Sequence, residues 1–108
     1  MKKRAQSIVG FAALAAAVVF ATEVTQHGVN PKDGFVPDAR TAIKTALAVW
    51  EPIYGEDTIA REKPFRARLR TNSVWMVEGS LPEGAVSGVG VAEIAKHDGR
   101  ILRVSHGK

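Results

Sequence analysis

A chain of 108 residues holds one modest domain, and with no cysteine it can build neither a disulfide framework nor a lipid-modified cysteine at a signal cut. The net charge of +4 does not argue for a nucleic-acid partner, because Lys2, Lys3 and Arg4 supply three of the four net positive charges at the extreme start of the chain.

Those three residues precede an uncharged apolar run from Ile8 to Ala21, and polar Thr22-Glu23 follow. A basic start, an apolar stretch and a small residue before a polar one are the parts of an export signal, with cleavage expected after Ala21. The run is shorter than the about 20 apolar residues that span a bilayer. A retained anchor is the alternative. The expected working protein is therefore exported, with the periplasm of a bacterial envelope as its expected site, free of the membrane after cleavage and without nucleic acid as a partner.

From Thr22 to Pro37 the chain is rich in Gly, Pro, Asn, Asp and Lys, and residues 22–37 are expected to form a linker or flexible arm ahead of a single domain at 38–108. Asp38 is placed to cap a helix whose apolar positions Ala39, Ala42, Ile43, Ala46, Val49, Trp50 and Ile53 recur at spacings of three and four. Pro52 is expected to kink or end it near Trp50 to Glu51, with Gly55 closing the passage. A short second helix over Glu56 to Lys63 stops before Pro64.

The period then changes to two. Phe65, Ala67 and Leu69 alternate with Arg66, Arg68 and Arg70, and strand-like runs follow at Val74 to Ser80, Val86 to Ala95 and Arg100 to Ser105. Three-residue loops at Thr71-Asn72-Ser73 and His97-Asp98-Gly99 would set Leu69 opposite Trp75, Ala67 opposite Val77, Arg66 opposite Glu78, Ile94 opposite Leu102, Ala92 opposite Val104 and Glu93 opposite Arg103. The core face would hold Phe65, Ala67, Leu69, Trp75, Val77, Ala92, Ile94, Leu102 and Val104. A two-residue turn at Asp98-Gly99 would mix the faces, since a one-residue slip flips every side chain. The expected fold is α+β: one long N-terminal helix and a short one packed on a curved four-stranded antiparallel meander.

The opposite sheet face collects Arg66, Arg68, Arg70, Met76, Glu78, Glu93 and Arg103, with Val74, Val89, Val91, Ile101 and Ser105 among them. Arginine and methionine are enriched at protein interfaces, so this face is the candidate partner-binding site. The competing reading is a solvated surface whose arginines pair locally with Glu78 and Glu93. No catalytic, cofactor-binding or metal-binding residue is assigned. His27, His97 and His106 lie in an arm, a turn and the tail without metal-ligand spacing, and Glu78 and Glu93 each face an arginine instead of forming an acid/base pair. Gly88-Val89-Gly90 lacks the strand-to-helix context of a phosphate loop.

Taken in order, Ala48-Val49-Trp50-Glu51-Pro52-Ile53-Tyr54-Gly55, Lys63-Pro64-Phe65, Val74-Trp75-Met76-Val77-Glu78-Gly79-Ser80-Leu81-Pro82, Gly88-Val89 through Ala92-Glu93-Ile94, Asp98-Gly99-Arg100-Ile101-Leu102 and His106-Gly107-Lys108 resemble the small bacterial immunity proteins with a nuclear-transport-factor-2-like fold. The resemblance covers residues 38 to 108. It implies a cystatin-like cone that protects its own cell by binding a cognate protein toxin of a polymorphic toxin system, with no catalytic residue and no cofactor. The export signal adds that such a toxin would act in the periplasm. A small-ligand-binding or enzymatic member of the same fold and a homodimeric envelope structural protein are the alternatives.

Overall fold

Asp38 starts the long helix by the chemistry its side chain offers. Its Oδ1 accepts the Thr41 amide at 2.8 Å, which satisfies one of the orphan donors of the first turn. The computed structural model describes residues 28–86 and 88–107, and in it α1 runs Ala39–Tyr54. Pro52 lies inside α1 without ending it. The helix continues to Tyr54, one turn beyond the expected break, and Gly55 closes it with φ 96° and its amide on the Glu51 carbonyl. The amide that proline lacks would have met the carbonyl of Ala48, a residue exposed to water, so little is lost there. Replacing Asp38 with Ala is expected to lower the urea midpoint; an unchanged midpoint would show that the cap contributes nothing.

The second helix, α2, is Glu56–Ala60, shorter than the expected span to Lys63. Four strands follow: β1 Arg66–Arg70, β2 Val74–Glu78, β3 Gly90–Ala95 and β4 Ile101–His106. They form one antiparallel sheet in the order β1-β2-β3-β4, a meander with both helices packed on one face. The expected α+β layering holds. Trp50, Ala42 and Ala46 of α1 are fully buried against Val77, Ala92 and Ile94 of the sheet, with Ile59 of α2 closing the same core. Trp50 also lies 5.9 Å, centroid to centroid, from the ring of Phe65 and donates its indole N–H to the Val91 carbonyl at 3.3 Å.

The β1–β2 register matches the expectation at every pair, from Arg66 opposite Glu78 to Leu69 opposite Trp75. Its turn differs in detail. Thr71 (φ 56°) and Asn72 (φ 64°) take the left-handed conformation, and the Ser73 amide reaches back to the Arg70 carbonyl at 3.3 Å. At β3–β4 the pairs Ala92 with Val104 and Glu93 with Arg103 hold, but Ile94 stands opposite Ile101 and not Leu102. The loop has four residues, Lys96 to Gly99, closed by the Ala95 amide on Arg100, and a bulge at Leu102 restores the register one step later. Lys96 leaves the ladder because other segments claim it. Its amide bonds Ser73, and its carbonyl accepts from Val36.

That second contact corrects the expected inert arm. The Phe35 and Val36 amides donate to His97 and Lys96, Val36 is 3% exposed, and the buried Trp75 indole donates to the Val36 carbonyl at 2.8 Å. Gly34 sits so close to this loop, at φ 87°, that a Cβ would run into the Lys96 carbonyl. The end of the stretch expected as a linker is thus part of the packed domain. Leu69 and Leu102, expected in the core, are 37% and 42% exposed: each lies on an edge strand with a neighbouring strand on one side only, and Leu102 sits at the bulge. The expected export signal at 1–21 lies outside the described residues. Among those described, no helix is long and apolar enough to cross a membrane.

Candidate functional site

The register brings all seven candidate residues onto the sheet face turned away from the helices. One row crosses the whole sheet as Arg68, Met76, Glu93 and Arg103, and the next carries Arg66, Glu78 and Val91 to Ser105. Alternation along each strand does this work, since α1 takes the other face. Glu93 is the hub. Its Oε1 accepts from Arg70 at 3.0 Å and its Oε2 from Arg103 at 2.8 Å, and these two hydrogen bonds, Arg103 first, hold its carboxyl below the usual carboxylate range. Arg68 stands 3.6 Å from Glu78, and Arg70 also reaches the Met76 sulfur at 3.4 Å. The local pairing weighed against a binding role is therefore present. It does not neutralise the face, which keeps four arginines against two carboxylates.

A second polar arrangement, which the sequence reading missed, lies on the helix side. Glu62 is the one charged residue buried among those described, at 4% exposure, in the connection between α2 and β1. Its Oε1 accepts the Gly90 amide at 2.8 Å, its carbonyl accepts the Ser80 amide, and its Oε2 lies 2.6 Å from His106 Nε2. His106 Nδ1 lies 2.8 Å from the Gly107 carbonyl, and the Tyr54 ring is 4.9 Å away, centroid to centroid. Both ring nitrogens thus face oxygens. Facing a carboxylate and a carbonyl, only the imidazolium satisfies both as a donor, and the tyrosine face favours that cation further. Gly79 is required here, because a Cβ would strike the Glu62 side chain. No pattern in the sequence marks Glu62, since it is the fold that brings residues 62, 79, 90 and 106 together.

The Glu62 hydrogen bond raises the His106 pKa, against a smaller opposing effect of burial. With the folded pKa above the unfolded one, the stabilisation is complete below the ordinary histidine pKa of about 6.5 and is lost as pH rises through the raised value. Urea midpoints measured across that window are expected to fall with rising pH for the native protein and to flatten for His106→Gln. Equal slopes for both proteins would exclude His106 as the group responsible.

Each Glu62 oxygen and each His106 ring nitrogen has a partner inside the domain, so the pair serves the packing of β3 and β4 against the α2–β1 connection. Among the described residues no cluster of three His, Cys, Asp or Glu side chains is placed to hold a metal ion. The arginine face, by contrast, is open.

A family model described as NTF2 fold immunity protein matches residues 41–108, which takes in most of α1 and the whole sheet. Over 56 residues the chain is 45% identical to the uncharacterized protein YhhH of Escherichia coli (strain K12), a match covering 51% of this chain and 43% of YhhH. The chain thus aligns with less than half the length of that relative. No solved structure matches the chain.

Proposed function

Since the chain belongs to the NTF2 fold immunity protein family, we propose that it neutralises a cognate protein toxin by direct binding, outside the cytoplasm, through the sheet face that carries Arg66, Arg68, Arg70, Met76, Glu78, Glu93 and Arg103. The observation that carries this reading is the division of the sheet. One face is filled by Trp50 and its neighbours, and the other presents guanidiniums around Met76 with no helix or strand among the described residues packed on it. Arginine, with its planar fork of donors, is suited to such contacts. The buried Glu62–His106 pair is satisfied within the domain, which favours a binding protein over an enzyme of the same fold. The apolar run at 8–21 supports export and hence a toxin met in the periplasm.

The test is to send a toxin encoded beside this gene to the periplasm of cells with and without the protein, and to measure the mass of the purified mixture in solution. Survival and a one-to-one complex are expected. A toxin equally lethal in both strains, with no complex formed, would reject the proposal. A stable dimer of this chain that ignores the toxin would favour the envelope structural role instead.

A further inference from the structure

The outer face is layered in height. The Glu93 and Glu78 side chains are recessed, 14% and 31% exposed, whereas Arg103, Arg70 and Arg68 stand above them at 53%, 50% and 68%. A guanidinium has five N–H donors, and the contacts within the sheet occupy two on Arg70 and two on Arg103. What meets an approaching molecule is therefore unspent donors. Arg66 forms no ion pair among the described residues, so the greatest excess of positive charge lies at the β1 end of the face.

At that end the surface is notched. Arg66 and Arg68 border a depression of about 150 Å³ lined also by Ala67, Met76 and Glu78, a space the size of one side chain whose two guanidiniums outnumber its one carboxylate. A wider trough of about 300 Å³ adjoins it, sharing Arg66 and Glu78 and bordered further along by Leu81 and Val89. Leu81 is 48% exposed, and the backbone of Gly79 and Gly88 forms part of the same lining. Charged at one end and apolar at the other, the two depressions form one asymmetric groove.

We propose that this groove reads an extended segment of the protein partner that carries an acidic side chain next to an apolar one. The carboxylate enters between Arg66 and Arg68 above Met76, and the apolar side chain lies against Leu81 and Val89. The complementarity differs between the halves: a carboxylate matches the unspent donors of Arg66 and Arg68, and an apolar residue matches the Leu81 and Val89 side chains at the far end of the trough. Glu62 acts as a positioning residue beneath it, because its bonds to the Ser80 and Gly90 amides fix both ends of the chain that forms the trough wall. This assignment rests on the reading of the outer face as the toxin-binding surface.

Amide shifts of the isotope-labelled protein, followed while it is titrated with three blocked tetrapeptides of central sequence Glu-Leu, Gln-Leu and Glu-Ser, test it. The Glu-Leu peptide is expected to shift Arg66, Arg68, Met76 and Leu81. Loss of either the carboxylate or the apolar side chain, or the change Arg66→Gln with Arg68→Gln, is expected to weaken binding about tenfold. Indistinguishable responses to the three peptides, no response to any, or shifts centred elsewhere would overturn the assignment. Protection of cells by the same arginine variants separates this outcome from the broader reading. If protection is lost while the peptides fail to discriminate, the face stands and the groove assignment falls. If the peptides discriminate while protection is untouched, the groove binds acidic segments and the toxin reading falls.

Discussion

Replacing Glu62 by alanine is expected to lower the unfolding free energy by about 3–5 kcal/mol, the cost of removing one partner from a buried, hydrogen-bonded charge pair. The substitution leaves the Gly90 amide without its acceptor and His106, 19% exposed at its side chain, without its counter-charge. A domain of this size has about 5–15 kcal/mol in all, so the loss would be a large share of it. Glutamine at the same position should cost much less. Its carbonyl can keep the Gly90 bond, and its amide can donate to a neutral His106 that holds its proton on Nδ1 for Gly107. Urea unfolding of both variants is the measurement, with the His106 titration followed in parallel. An alanine variant that loses less than about 1 kcal/mol would mean that the pair is no more than a surface ion pair.

The same pair shows where reading a sequence stops. Alternation from Phe65 to Arg70 and the length of the Thr71 to Ser73 loop were enough to place Arg66 opposite Glu78, because both are local and a slip of one residue would bury arginine. Five of the seven face residues, Arg66, Arg68, Arg70, Met76 and Glu78, followed from that register, and Glu93 and Arg103 from a β3–β4 pairing that the bulge at Leu102 preserves. The Lys96 to Gly99 turn was not legible in the same way. Its length is set by Ser73 and Val36, which lie 23 and 60 positions from Lys96 and take hydrogen bonds that the turn residues would otherwise have used. Glu62 was hidden for a related reason. In the chain it reads as one more acidic helix former before Pro64, and only the return of Gly90 and His106 to the same place makes it a buried group.

Exchanging Arg68 and Arg103 for glutamate together is expected to lower toxin affinity roughly a thousandfold or more and to abolish protection, because buried arginine contacts in interfaces are commonly worth 2 kcal/mol or more each. These two residues flank Met76 and Glu93 in one row across the sheet, so the change inverts the charge at both ends of the row. The fold should survive it. Both side chains are more than half exposed, and the added carboxylates at positions 68 and 103 each meet one neighbour, Glu78 and Glu93, the second of which Arg70 still holds at 3.0 Å. Repulsion at these two places will soften the domain slightly, and at Glu93 it will raise the pKa from its present lowered position. For that reason the glutamine pair, Arg68→Gln with Arg103→Gln, belongs beside it: affinity should drop less, with no new like-charge contact. Circular dichroism and urea midpoints report the fold, and survival of toxin-expressing cells reports function. Full protection by the folded glutamate variant would show that the toxin docks elsewhere, and attention would then pass to the exposed apolar residues Phe35, Ile101 and Leu102 at the other end of the sheet.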